Sequence, residues 1–153
     1  HISNPDNLAA LLRAGVEACR EVDPEITVMM HLALGGQQEE ALFWFDNMIA
    51  RGVDFDVIGL SYYPRWHGTL DDLNTTMIYL AERYQKDINV AEYSAFKQEI
   101  NDMVFNLPEG RGNGTCIWEP LNTWRRLFDQ QGNAVEEFGI YDKVAEKYLK
   151  VKE

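Results

Sequence analysis

At 153 residues, 46% of them hydrophobic, the chain is long enough for one domain with a real core and too apolar for disorder. Its net charge of -11, from 14 basic and 25 acidic residues, disfavours nucleic acid and anionic membrane surfaces and fits a neutral ligand. No apolar run approaches the ~20 residues of a membrane span, so neither nucleic acid nor membrane is an expected partner.

Ser3-Asn4-Pro5-Asp6 opens a helix, because Ser or Asn caps it and Pro5 suits its first turn. Leu8, Leu11, Leu12, Val16 and Cys19 then recur at helical spacing until Asp23-Pro24 stops them. Residues 26–33 form a largely apolar strand, followed by a turn at Gly35-Gly36. Residues 37–51 are helical, with Leu42, Phe45, Met48 and Ile49 on one face and Gly52 behind the C-terminus. Trp44, inside this helix, is a packing residue. A second strand at 55–61 leads to a helix at 70–84 carrying Leu73, Met77, Leu80 and Ala81. A third strand spans 88–92, and a short helix at 98–106 closes on Leu107-Pro108. The fourth strand is 115–118 and the closing helix 134–149.

Cys19 falls on a helix and Cys116 on a strand, with no CxxC partner and no His at metal spacing. They read as two buried thiols. None of the three His residues has a short-range partner either, so no metal is expected. The first residue is His1 with no signal-peptide pattern after it, which points to a processed chain or a piece of a longer one.

The strands are apolar throughout rather than alternating, the pattern of a parallel sheet buried on both faces. The order α(βα)4 is α/β, and two architectures fit it. One is half of a (β/α)8 TIM barrel, whose full length is ~250 residues. The other is a flavodoxin-like doubly wound sheet. Both gather function at the carboxyl ends of the strands. Those ends carry His31, Ser61-Tyr62-Tyr63, Glu92 and Trp118-Glu119, which together describe a polar, aromatic-lined cleft. A carboxylate beside Ile88, Val90 and Ala91 costs free energy unless it is paired or exposed. Spacing alone leaves open whether Glu92 has simply reached water or is catalytic. Gly35-Gly36 lacks a GxGxxG or Walker pattern, and the glycine run at 110–114 precedes a strand instead of following one. Nucleotide binding is therefore disfavoured.

The segment "DVIGLSYYPRWHGTLDDL", followed in order by "VAEYS" and "IWEPLNTW", is far more specific. It resembles glycoside hydrolase family 53, the endo-β-1,4-galactanases or arabinogalactan endo-β-1,4-galactosidases. The resemblance implies a (β/α)8 barrel and retaining hydrolysis of β-1,4-galactan, without a cofactor. The match is to the second half of the family's domain, so residues 1–153 are expected to be the C-terminal half of one glycosidase domain, its N-terminal half lying outside this chain. Glu92 stands where the family's seventh strand ends in its nucleophile. Tyr63 matches the tyrosine before proline, an O–H donor to that carboxylate. Trp118 resembles the tryptophan that forms the sugar platform beside the cleavage point. His31 is an implied hydroxyl partner, Trp66 lines the cleft together with the neighbouring His67 loop, and Ser61 is a weaker substrate-contact candidate. Trp124 would extend the cleft or cover the barrel.

The family's acid/base is the Glu of an Asn-Glu pair ending its fourth strand. No Asn-Glu pair occurs in this chain. The proton donor is therefore expected to be missing. Glu119, in "WEP", is implied as a hydrogen-bonding group at the rim; a retaining pair needs facing carboxyls ~5–5.5 Å apart. The connection from Tyr93 to Gly114 is too short for the long calcium loop of some members, so no structural calcium is expected.

Four parallel strands alone leave two unpaired edges and an open inner face. The expected partners are thus the polysaccharide and a missing N-terminal half-barrel, absent from this chain or supplied by another. Two copies pairing into one barrel would set two Glu92 residues opposite each other without a proton donor. The competing functions are a galactan-binding half-barrel that does not cleave, and an unrelated flavodoxin-like ligand binder. A polymeric substrate implies a secreted or periplasmic protein whose export signal lies upstream.

Overall fold

The computed structural model describes residues 3–121 and 125–149. Helix α1, Pro5–Val22, starts where the sequence says: the Asn4 side chain accepts the Asp6 N–H at 2.8 Å and Pro5 occupies the first turn. Then follow β1 Met29–Leu32, α2 Gln38–Ala50, β2 Val57–Tyr62, α3 Pro64–His67 and α4 Leu70–Tyr84. The rest is β3 Asp87–Tyr93, α5 Lys97–Phe105, β4 Gly112–Ile117 and α6 Gly139–Tyr148. A capping box fixes the start of α4, with the Asp72 carboxylate accepting the Thr69 N–H at 2.8 Å.

The four strands are parallel and lie in the order β1-β2-β3-β4. Right-handed crossovers that always step the same way put every helix on one face. A doubly wound sheet must reverse its strand order to cover both. This sheet does not reverse, so the flavodoxin-like alternative is excluded and the fold is α/β, half of a (β/α)8 barrel. The core is the helix side. There Met30, Ile58, Leu60, Ile88 and Val90 of the strands join Phe45 and Met48 of α2, Leu73, Met77 and Leu80 of α4, and Ile100 and Val104 of α5 in one buried cluster. Each such side chain contributes roughly 1.5–3 kcal/mol of burial.

The strands are not buried on both faces, as their composition implied. All six residues of β2 are buried, but on β1 Met29 is 39% exposed while Met30 is 8%. On β4, Asn113 and Cys116 are exposed. The physical reason is the single helical layer: the other face needs side chains from further strands to cover it. The same reason corrects the expectation for Cys116, whose sulfur lies on that open face 3.9 Å from Asn89 Oδ1. Cys19 is exposed as well, on the solvent side of α1.

Several boundaries differ from expectation: β1 covers only Met29–Leu32 of the expected 26–33, and β2 begins at Val57 instead of 55. Strand β4 begins at Gly112, because glycine allows its backbone to lie against α5: a Cβ there would sit 1.9 Å from the Val104 carbonyl oxygen. The closing helix begins only at Gly139, since Ala134 pairs with Phe128 in an antiparallel bridge. Helix α3, unforeseen, is started by Pro64 directly after β2. Trp44 packs as expected, edge-on to Phe45 at 5.1 Å. Trp124 lies outside the described residues.

The β1–α2 turn is pressed against the strand ends. A Cβ on Gly35 would lie 2.5 Å from the Ser61 carbonyl oxygen, and one on Gly36 would lie 1.7 Å from the His67 carbonyl oxygen. Gly36→Ala is accordingly expected to destabilise the chain by about 1–3 kcal/mol, the usual range for overpacking. Urea unfolding measures this; an unchanged midpoint would contradict the close approach.

Candidate active site

The site begins with an irregularity in β3. Along β2, Gly59 pairs with Asn89 and Ser61 with Glu92, so two steps on one strand face three on the other. Along β4, Thr115 pairs with Val90 and Ile117 with Tyr93, again two steps against three. Strand β3 therefore carries one extra residue at Ala91-Glu92, a β-bulge. In a regular strand Val90 and Glu92 would share a face. The bulge instead lets Val90 and Tyr93, both 0% exposed, pack on the helix side. It leaves Glu92 half-buried beside Ser61.

The neighbours of Glu92 come from the adjoining strand ends. The Tyr63 phenol lies within interaction range of Glu92 and is held far above its ordinary pKa, by burial first, then by its interaction with the Glu92 carboxylate and the charges of Glu92 and Glu119. It therefore keeps its proton and can donate a hydrogen bond to the carboxylate. His31 Nε2 lies 2.8 Å from Ser61 Oγ, linking the ends of β1 and β2. Trp66 is 60% exposed and edge-on to Tyr63 at 5.9 Å, with the Arg65 guanidinium 5.6 Å from its centroid. Trp118 is 46% exposed, and its N–H donates to the Tyr93 carbonyl at 2.8 Å. Glu119, in left-handed backbone at φ 39°, is close enough for its charge to act on Tyr63. Tyr62 turns away: it is buried and its hydroxyl donates to the Gly68 carbonyl.

Two supports were not legible as functional groups. His67 is buried beneath the cluster, where its Nδ1 accepts the Tyr63 N–H at 3.0 Å and its ring is hydrogen-bonded to the Ser61 backbone. Burial lowers its pKa, so the ring is held neutral as a bracket. Behind β3, the Tyr93 hydroxyl meets Tyr141 at 2.9 Å, Thr115 at 3.1 Å and Asn101 at 3.2 Å, and the Thr115 hydroxyl donates to Asn101 at 3.0 Å. The signal for the bulge was present in "INVAEY": two apolar residues, Val90 and Tyr93, stand three apart in a strand whose period is two.

Cavities of 450 Å³ between α1 and the Gly52–Asp54 turn, and of 430 Å³ at the amino ends of the strands, lie away from this cluster. Neither encloses Glu92, which stands on the open side of a single wall. Among the described residues, no group of three or more His, Cys, Asp or Glu side chains is placed to hold a metal.

Residues 1–103 match the sequence model of Glycosyl hydrolase family 53. The chain belongs to this family. An uncharacterised protein of the bgaB 5' region of Niallia circulans is 33% identical over 87% of this chain. The endo-beta-1,4-galactanase of Bacillus subtilis (strain 168) is 28% identical over 90% of it. The solved GH53 catalytic domain of Ignisphaera aggregans superposes with a TM-score of 0.85 at 25% identity, covering 94% of the chain. The chain spans 50%, 30% and 53% of those proteins, about half their length or less. The matched span holds His31, Ser61, Tyr63, Trp66 and Glu92; Trp118 and Glu119 of this family 53 chain lie beyond it.

Two measurements test the supports. Tyr93→Phe leaves Thr115, Tyr141 and Asn101 without their shared partner and should cost about 1–3 kcal/mol in urea unfolding. For His67, the folded chain binds the ring proton less tightly than the unfolded one. Its contribution to stability is therefore whole above the unfolded pKa of ~6.5 and is lost as pH falls toward the depressed folded value. Wild-type unfolding free energy should fall between neutral pH and pH 5, and His67→Gln should flatten that slope. Parallel slopes for the two proteins would remove His67 as the cause.

Proposed function

We propose that this chain is the C-terminal half of a (β/α)8 glycoside hydrolase domain and carries the nucleophile half of a retaining endo-β-1,4-galactanase site. The observation that carries the reading is Glu92 itself: a carboxylate turned by a bulge to the carboxyl end of its strand, beside a protonated Tyr63, in a family 53 chain. The galactanase name of the Bacillus subtilis relative supports β-1,4-galactan as the substrate.

In the complete barrel, the Glu92 carboxylate attacks the anomeric carbon and the bond to the leaving sugar oxygen breaks. That oxygen takes a proton from an acid on the opposite wall. Water, deprotonated by the same opposite group, then cleaves the glycosyl ester and releases Glu92. Tyr63 keeps its proton and can donate a hydrogen bond to the Glu92 carboxylate, orienting it for attack. Trp118 is the platform for the apolar face of the sugar beside the cleavage point, and Trp66 lines the cleft. His31 and Ser61, already paired, present polar atoms to sugar hydroxyls, and Glu119 hydrogen-bonds at the rim. The opposite wall, with the proton donor, is the proposed partner. A polymeric substrate places the working protein in the secreted or periplasmic space; no helix among the described residues is long and apolar enough to cross a membrane. The second reading is a half-barrel that binds galactan without cleaving it; an Asn-Glu pair encoded just upstream would favour the enzyme.

The test has two parts. The chain alone is expected to release no reducing sugar from β-1,4-galactan. Combined with a polypeptide carrying the first four βα units of a family 53 barrel, it is expected to hydrolyse galactan, with Glu92→Gln lowering the rate by on the order of 10³-fold or more. Hydrolysis by the chain alone would overturn the incomplete site. A Glu92→Gln assembly as fast as wild type would remove Glu92 as nucleophile.

A further inference from the structure

A groove of 560 Å³ opens next to the Glu92 cluster, lined by Pro64, Ala95, Phe96, Gln98 and Arg125 among others. Its size lies within the ~300–1,000 Å³ of ordinary ligand sites. Glu92, Tyr63 and Trp118 do not line it; two chain segments join it to the candidate site. Pro64 follows Tyr63 at the end of β2, and Ala95-Phe96 follows Glu92 by three and four residues at the end of β3.

Phe96 is anomalous in two ways. Its backbone is left-handed, at φ 57° and ψ 42°, a region a bulky side chain enters only under strain. Its ring is 42% exposed, so burial does little to offset that strain. A glycine would relieve the backbone and an asparagine would tolerate it better. The turn is clamped from below. Lys97, 2% exposed, donates from Nζ to the Ser94 carbonyl at 2.8 Å and to Glu137 Oε1 at 2.7 Å. With Lys97 drawn inward, the preceding residue is held outward at the groove. Strain kept at a turn beside a binding site is the usual sign of a side chain retained for a ligand.

We propose that Phe96 is a sugar-stacking platform that holds a galactose unit of the polysaccharide at a distance from the one at Glu92. This rests on the galactan reading above and extends it to a second contact. A galactose ring offers an apolar C–H face that matches an aromatic ring, and Gln98, whose Nε2 donates to Asp102 Oδ1 at 3.2 Å, brings an amide oxygen able to accept from the sugar's hydroxyls. The ligand is neutral, as the chain's net charge of -11 favours.

The test titrates the whole chain with β-1,4-galactobiose and β-1,4-galactotetraose by NMR, and follows thermal unfolding of each variant. Phe96→Gly is expected to weaken tetraose binding about 3- to 10-fold, the range of one aromatic stack. It should leave biose binding unchanged and the unfolding midpoint level or raised, because the strain goes with the ring. Unchanged tetraose binding overturns the proposal. So does a lowered midpoint together with weakened binding of both sugars, which would make Phe96 a structural anchor. Trp118→Ala separates the two readings: it should weaken both sugars. If it weakens neither, or if wild type binds no galacto-oligosaccharide, the galactan reading itself fails and the Phe96 contact with it.

Discussion

Val90 and Glu92 are two residues apart, and a regular strand would send both to the same side. One of them belongs in an apolar core and the other cannot enter it without a partner. The extra residue in β3 separates them, and it recurs in the pairing with both neighbours, β2 and β4. Much of the site depends on keeping that bulge in place. Tyr93 does so from behind: its ring is fully buried and its hydroxyl is tied to three groups on α5, α6 and β4. Burial and the bond to Tyr93 raise the Tyr141 phenol well above its usual pKa, so Tyr141 keeps its proton. From the same residue, the carbonyl accepts the N–H of Trp118. One anchor thus positions both the proposed nucleophile and the proposed sugar platform.

A second constraint is the sequential strand order. It stacks the helices on one face and leaves the other face without a covering layer among the described residues. The consequences appear residue by residue. Met29 lies over Gly59, where an added Cβ would meet its sulfur at 2.9 Å, yet Met29 itself stays 39% exposed. Asn89, in the middle of β3, has for company the Asn113 amide at 3.3 Å and the Cys116 thiol. Side chains of this kind can fill a closed barrel or face water, which is why composition alone assigned both faces to a core.

Much of this was legible. Helix α4 was readable to the residue from its apolar spacing, and α1 from its cap and proline, because both signals are local. The strand ends were legible as a set, and His31, Ser61, Tyr63 and Glu92 do converge. What stayed hidden was long-range. The burial of His67, three residues after Pro64, follows from a turn in α3 that folds its ring back under Tyr63. The start of β4 at Gly112 depends on contact with Val104, which no local pattern displays. The exposure of both cysteines depends on which layers are present, a property of topology and not of residue type.

The division of the proposed chemistry between two walls has a physical consequence. A retaining site needs its two carboxyl groups in different states, one ionised and one protonated, and neighbours set that difference. Here the neighbours of the first group are all local: the bulge, the Tyr63 hydroxyl, the neutral His67 bracket and the Tyr93 anchor lie within one half-barrel. Nothing in their geometry waits on the opposite wall. On the proposed reading the side that carries Glu92 would be preorganised by these local neighbours, and an opposite wall would have only to bring a proton donor into range and exclude water. On the same reading, a half-barrel built this way would present a shaped surface to the sugar without supplying the proton donor, and binding and hydrolysis would then be separable properties of the same fold.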